Sequence, residues 1–579
     1  RVVSAAPQSY ELDQGEPPEL VLLVKDGAVA IDGDYQPEFE GGWAPQFSEP
    51  VVSTFSGAAS FDYPIPLPPG RNGLQPSLNL DYSSRRVDGL INWEGSEWVG
   101  LGWNIDAVDI VRMNVRYKWP GNYQWITYDD RFQLVLNGTS YHLVPNASGQ
   151  RSGRYYADGA PELYIVRKNA DGGNGSGFNK TSEYWEVKTP DGTVYQLGFY
   201  RQSEQVLYRT GNCYPSCDDP AVYSPYSGPV QNYTAYRWRV DQVTDVWGNT
   251  MEYQYQECRT GSSSCAVYTS GPSSQREVNS YLNKVWYNRQ GSSWMTTVEF
   301  VGQNRSSSGG VEEPPIFKPR RQLNSIKVWW NTTLVSETQL DYESYYTPAS
   351  SVVLLLTGIV PYGIGGIAGG EALPGPTFGY EDYPNKDWCE PDPPPPPPPL
   401  PPPPPSGCDT AWEQQSFPYE RMAWAENGYG GRFEFEYVDD DRGDWWQGFY
   451  NYRVSERRVY DGLGSGWDRQ DQYSYGSPCY DQWDSSNGTP CSWPNNPDGL
   501  GPLVGHDLVT VTVSSPAGAL QVSDHHFHVD NGANYLRRGR EYLTRHYDAT
   551  GGTLLQKAQN DYGVNDATVC PATNLPAGM

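Results

Sequence analysis

Apolar and polar residues alternate with a period of two along most of this chain. In "WRVDQVTDVWGNTMEYQYQ" (238–256) an alternating run leads to Trp247-Gly248-Asn249, and a second run carries Tyr253 and Tyr255 on one face. "YWEVKTPDGTVYQLG" (184–198) places Asp191-Gly192 between two alternating runs, a strong hairpin signal. "WAENGYGGRFEFEYV" (424–438) puts Phe433, Phe435 and Tyr437 on one face, and 537–564 reads strand, turn from Asp548 to Gly552, strand. A period of two with Gly, Asn and Asp at the turns predicts antiparallel strands. The expected fold is all-β: a large antiparallel, spiralling sheet forming a shell with loop insertions and little helix. The rings of Tyr253, Tyr255, Phe433, Phe435 and Tyr437 are expected to face its interior.

The most distinctive stretch, "GAASFDYPIPLPPGRNGLQPSLNLDYSS" (57–84) followed by "GLGWNI" (100–105), carries no nucleophile, metal cage or phosphate cradle. It resembles the opening motif in the N-terminal region of insecticidal Tc-toxin B components and related secreted toxins. The later units, such as 244–256, 427–438, 452–464 and 539–555, resemble RHS/YD repeats. The resemblance covers roughly residues 50 to 565. It implies a long β-strip that spirals into a hollow RHS-like shell, which in that family commonly encloses a C-terminal toxic domain. The family's propeller with Asp-rich repeats has no counterpart run here. Its closing core with aspartate-based self-cleavage, and an effector after it, are expected to be missing. The resemblance therefore supports the fold more than the toxin role. The organisation expected is an N-terminal arm (1–50), the opening motif (51–115), a first shell part (116–388), a polyproline insertion (389–408) and a second shell part (409–579).

Composition agrees with this picture. The 579 residues include 44 Tyr, 21 Trp, 61 Gly and 50 Pro, while only 19% are charged. That mixture suits half-buried strands and many turns, and aromatic richness excludes a disordered chain. The net charge of −28 argues against nucleic acid and anionic lipid as partners. It serves solubility, with acid-mediated calcium binding as the alternative. The longest apolar runs, 19–31 and 351–360, are strand-sized, so no transmembrane segment is expected. The chain starts at Arg1, and the expectation is that a leader was removed or that the chain is a fragment.

Eight of the nine cysteines form sequence couples: Cys213 with Cys217, Cys258 with Cys265, Cys389 with Cys408, and Cys479 with Cys491. Local disulfides in an oxidising, extracellular or cell-surface setting are the expected reading. "CYPSC" (213–217) also resembles half a zinc knuckle, without a matching second half. Cys570 is left over. Eight N-x-S/T sequons, at Asn137, Asn146, Asn174, Asn179, Asn232, Asn304, Asn331 and Asn487, permit glycosylation. "PDPPPPPPPLPPPPP" (391–405) has 13 prolines in 15 residues. As a straight polyproline helix it spans about 46 Å, which excludes a Cys389–Cys408 bond unless the run folds back. It is either a spacer loop or a rigid arm for a Tyr- and Trp-lined groove.

Candidate chemistry is sparse. In "DHHFHVD" (524–530), a strand would set His526 and His528 on one face with Asp524 and Asp530, and His525 on the other. Such a face is either solvated or holds a divalent metal. "YVDDDRGDWW" (437–446) offers Asp439, Asp440, Asp441 and Asp444 for calcium, without EF-hand spacing, and an Arg442-Gly443-Asp444 triplet. No nucleophile elbow, zinc-protease or Walker signature occurs, so no catalytic residue, no enzymatic activity and no obligate cofactor are expected.

Three functions follow. The first is a secreted, non-enzymatic structural protein, a surface or filament subunit assembling with copies of itself. The second is a shell fragment of a Tc/RHS-type toxin-delivery protein around a cargo. The third is a glycan-binding surface protein using Trp and Tyr platforms. For the first, Leu20, Val21, Leu22, Leu23 and Val24 make a strand apolar on both faces, with Asp26-Gly27 turning into Ala28 to Ile31. It either covers its own shell or adds to a neighbouring copy's exposed sheet edge.

Overall fold

In the computed structural model the chain divides into two compact units, Arg1–Ala44 and Pro45–Met579. The structure describes residues 49–88, 98–112, 116–118, 125–127, 132–146, 152–169, 179–208, 233–259, 264–268, 277–305, 320–346, 352–391, 412–439, 451–464, 466–482, 500–529 and 539–560, all within the second unit. Among them the only α-helix is the single turn Gly366–Gly369, and every pair of neighbouring strands is antiparallel. No helix among them is long and apolar enough to cross a membrane.

Three parts hold most of the described residues of the second unit, beside a small ribbon of Arg116–Lys118 with Trp125–Thr127. The first is a four-stranded sheet of Val51–Val52, Ala59–Pro64, Asn79–Ser83 and Trp103–Asp106, built from the opening motif. The second is a closed ring. Asp109–Arg112, Phe132–Leu136, Thr139–Pro145, Gly153–Ala157, Ala160–Lys168, Tyr184–Lys188, Val194–Leu197 and Tyr233–Thr244 pair in that order. The last returns to the first through Trp238↔Ile110 and its neighbours. A ring of eight strands is just wide enough for side chains to fill. Here Phe132, Tyr155, Trp185 and Trp238 pack edge to face, with ring centroids 4.9–5.9 Å apart. The buried guanidinium groups of Arg112 and Arg167 lie 4.9 and 4.6 Å from the Phe132 ring.

The third part is a strip that leaves the ring at Tyr233–Thr244 and continues as a meander. Its strands pair in sequence, from Thr250–Arg259 and Glu277–Gln290 through Trp412–Glu426 and Arg432–Asp439 to Glu541–Tyr547 and Leu554–Gln559. The excursion Pro478–Gln482 with Leu500–His506 pairs as a separate ribbon. The expected interior rings are where the alternation puts them. Tyr253, Tyr255 and Phe435 are buried, and Phe433 and Tyr437 pack against the same core.

One turn design recurs along the strip. Asp245 accepts from the backbone N–H of Trp247 and Asn249, Asn427 from Tyr429 and Gly431, and Asp548 from Thr550 and Gly552. The side chain thus satisfies donors two and four residues on. In each turn the third residue after the Asx is a glycine, with φ of 81°, 94° and 71° at Gly248, Gly430 and Gly551. Other residues are strained there. The degenerate sequence unit is therefore a repeated hairpin turn.

Val352–Tyr362 is apolar on both faces because both are covered. Val353 and Leu355 pack with Val87, Leu101 and Tyr419, while Leu356 and Ile359 join the main core. At the end of the strip burial declines, and Leu554–Gln559 is exposed at every position. The ends of the proline-rich stretch, Pro391 and Trp412, are cross-strand partners. The run between them therefore interrupts one hairpin, not a domain boundary in the sheet. The apolar segment Leu20, Val21, Leu22, Leu23, Val24 and Ile31 lies outside the described residues.

Candidate functional site

The opening motif is a clamp. Its residues bond to the sheet at points spread from Val240 to His506. The Val108 carbonyl accepts from Val240, Pro68 from the Tyr287 hydroxyl, Trp98 from Leu323, and Gly57 from Val454, all at 2.7–2.9 Å. The Phe55 carbonyl accepts from His506 at 3.0 Å, and Leu101 donates to Leu354 at 2.8 Å. Side chains complete the attachment. Trp103 Nε1 donates to the Tyr380 hydroxyl at 2.9 Å, which donates to the Leu356 carbonyl at 2.6 Å. The Tyr82 hydroxyl accepts from the Met422 amide at 2.8 Å. Burial pushes the Tyr82 phenol up to about 12. The Phe61, Trp103 and Phe378 rings pack edge-on or tilted, with centroids 4.8–5.9 Å apart. Alternation in the motif supplies this face: Phe61 and Tyr63, then Leu80 and Tyr82, are all buried.

Two buried ionic groups brace the structure, one at the clamp and one beside the ring. Arg421, with no exposed surface, pairs with Asp88 at 2.8 Å, and the Tyr452 amide donates to the same carboxyl. Burial raises Asp88, and Arg421 opposes that rise. Beside the ring, Lys180 Nζ lies 2.8 Å from Glu257 and donates to the Glu204 carbonyl at 2.6 Å. The Glu204 carboxyl accepts from the amides of Lys180 and Thr181, yet burial pushes it up to about 8. Asp241 accepts from the amides of Phe199 and Tyr200 and is pushed up to about 7 by burial. Both carboxyls are fully enclosed and bind backbone, which suits structural anchors.

The sequence-derived candidates distribute as follows. Cys258 and Cys265 are bonded, with Cα atoms 4.1 Å apart at directly opposed strand positions. Cys389 lies on a strand opposite Gln414, and Cys479 opposite Gly505. Their expected partners Cys408 and Cys491 lie outside the described residues, as do Cys213, Cys217 and Cys570. In the histidine run, the described members of the expected metal set, Asp524, His526 and His528, are not gathered. Asp524 accepts from the Thr510 hydroxyl at 2.8 Å, and the His528 ring stacks on Tyr542 at 4.6 Å. His525, on the other face, pairs with Glu541 at 2.7 Å. Asp530 lies outside the described residues, and among these no three His, Cys, Asp or Glu groups stand together as a metal site. Asp440, Asp441, Arg442, Gly443 and Asp444 also lie outside. Of the sequons, Asn179 is engaged, its amide donating to the Glu183 and Gly198 carbonyls at 2.6 and 2.7 Å.

Sequence reasoning missed a pocket of about 220 Å³ at the motif's "PPGRNG" loop. Arg71 and Leu74 of that loop face Asn249, Thr250, Asn288 and Arg289 of two hairpin ends. Gly70 signalled only a tight turn within the loop, where a Cβ would meet the Leu74 carbonyl, and nothing in the sequence pointed to the hairpins that Arg71 meets.

Against known proteins, no curated protein matches. Among solved structures, the TcdB2-TccC3-TEV crystal structure overlays 92% of this chain at 13% identity and a TM-score of 0.36. The chain covers 30% of that protein's length. The N-terminal domain of effector protein SpvB from Salmonella typhimurium strain LT2 overlays 52% of this chain and 98% of its own at 15% identity and a TM-score of 0.32. The Photorhabdus luminescens Tc holotoxin pore overlays 90% of this chain and 29% of its own at 12% identity and a TM-score of 0.34. The expected opening motif does fall within a family match. Residues 53–307, which hold the clamp, the closed ring and the first hairpins of the strip, match the family described as Salmonella virulence plasmid 65kDa B protein.

Proposed function

We propose that this chain is a shell-forming part of a Tc/RHS-type toxin-delivery protein, non-enzymatic in itself, that encloses a polypeptide cargo outside the producing cell. The observation that carries this reading is the family match that begins at the clamp, residues 53–307. The clamp's role supports it: one motif holds hairpins far apart in sequence, as a container wall requires. The buried carboxyls Glu204 and Asp241 hold backbone amides, in keeping with a structural part. Partners would be other subunits of the assembly.

The filament reading keeps one observation in its favour. Among the described residues Leu554–Gln559 pairs on one edge only, with Leu554 and Leu555 exposed. An unpaired edge recruits strands. Purification of the protein from its source, with its bound chains, separates the two. Native mass spectrometry should show a second polypeptide that resists protease until the shell is unfolded. A homopolymer without such a chain supports the filament and overturns the delivery reading.

A further inference from the structure

The pocket at the clamp loop is assembled from three separate segments and is cationic in an acidic protein. Arg71 and Arg289 both line it, and the contacts of their guanidinium groups are a backbone carbonyl and an aromatic ring. The Arg71 guanidinium donates to the Arg289 carbonyl at 3.2 Å, and the Arg289 guanidinium lies 5.2 Å from the Trp294 ring. Some arginines are matched with carboxylates, as Arg432 is with Glu426 and Glu434, and Arg457 with Asp471, while others are held by neutral groups, as Arg321 is by Gln256 and the Gly302 carbonyl. Both arginines are exposed and line one pocket, so an anion bound there can meet both guanidinium groups.

The wall is held rigid. Buried Asn288 accepts from the Arg71 amide at 2.8 Å and donates to the Pro69 carbonyl at 3.1 Å and the Thr296 hydroxyl at 3.0 Å. Asn249 is fixed by Asp245, which takes its side-chain N–H at 2.7 Å and its backbone N–H at 2.8 Å. That leaves the Asn249 amide oxygen and the Thr250 hydroxyl to meet neutral hydroxyl groups. Leu74 supplies an apolar patch. Trp247, 70% exposed, stands in the turn whose next two residues line the pocket. An exposed aromatic next to a polar pocket suits the apolar face of a sugar ring.

We propose that this pocket binds a carboxylate-bearing sugar unit of a glycan. Arg71 and Arg289 take the carboxylate, since guanidinium matches it in a bidentate fork. Asn249 and Thr250 take ring hydroxyls.

The test is calorimetric titration of the full chain with glucuronate, glucose and acetate. Glucuronate should bind at least about tenfold more tightly than glucose, which lacks the carboxylate, and than acetate, which lacks the ring hydroxyls. Arg71→Gln and Arg289→Gln should each weaken glucuronate about tenfold or more, while Lys188→Gln, an exposed cation outside the pocket, leaves it unchanged. Circular dichroism melts confirm that each variant is folded. Equal binding of glucose removes the role of the charge and overturns the proposal. Equal binding of acetate reduces the site to a simple anion hole and also overturns it. So does wild-type affinity in both folded arginine variants, or absence of glucuronate binding at tens of millimolar.

Discussion

His506 should make the junction between the clamp and the separate ribbon of Pro478–Gln482 with Leu500–His506 acid-sensitive. Its ring has no exposed surface, packs on Tyr475 at 4.7 Å, and has no partner on either nitrogen among the described residues. Burial first, and the nearby Arg453 charge second, hold it down to about 4. The unfolded chain takes the same proton near 6.5. As pH falls below about 6.5 the unfolded state is protonated while the folded state is not, so stability is lost until pH reaches about 4. Linkage makes that loss ~2 kcal/mol at pH 5 and about 3 kcal/mol at full extent. Glu204 and Asp241 work in the opposite sense. Their folded values, about 8 and about 7, are raised, so their stability is lost as pH rises through those values. The whole-protein profile therefore mixes the two trends, and a variant is needed to separate them. His506→Phe keeps an aromatic ring and removes the titration. Denaturant unfolding of both proteins at pH 7.5 and pH 5 reads the difference. The variant should gain ~2 kcal/mol on wild type between those conditions. A gap that stays constant across that window would refute the reasoning.

Four further outcomes follow from the same contacts. Gly102→Ala places a Cβ 2.5 Å from the Tyr82 ring at a φ of 77°; denaturation should show a loss of roughly 1–3 kcal/mol. Asp88→Asn leaves buried Arg421 without its counter-charge and should cost about 3–5 kcal/mol, whereas Asp88→Leu with Arg421→Met should cost less; denaturant unfolding of the single and the double variant measures the difference. Reduction should raise the intact mass through opening of Cys258–Cys265, and Cys258→Ser should lower stability by ~2 kcal/mol, the chain-entropy value for so short a loop. After expression in a glycosylating secretory host, peptide mapping should find Asn137, exposed in its turn, modified, and Asn179, bound to two carbonyls, unmodified.

The sequence by itself determined the kind of structure. A period of two is a local property, and it fixes which face of each strand is apolar. Tyr253 and Tyr255 could therefore be assigned inward from their neighbours alone. The turns were equally local: an Asx side chain followed three residues later by glycine satisfies its own loop's amides, whatever the rest of the chain does. Cys258 and Cys265, seven residues apart, were legible for the same reason. The opening motif could be recognised as a string, without its purpose.

Tertiary structure alone decided that purpose. Tyr82 meets Met422, Asp88 meets Arg421, and Phe55 meets His506 across hundreds of residues, and no spacing rule encodes such meetings. Closure of the eight-stranded ring depended on Tyr233–Thr244 returning to Asp109–Arg112. The same holds for chemistry. His525, set aside by strand parity, found Glu541 on a later strand, while Asp524 bonds Thr510 and the His526 and His528 rings both pack against Tyr542. Arg71 and Arg289 became a pocket only because the glycine-flanked loop docks on a distant hairpin. Alternation sets the direction of a side chain, but the neighbour it meets depends on how the sheet coils, and coiling is a property of all the strands together.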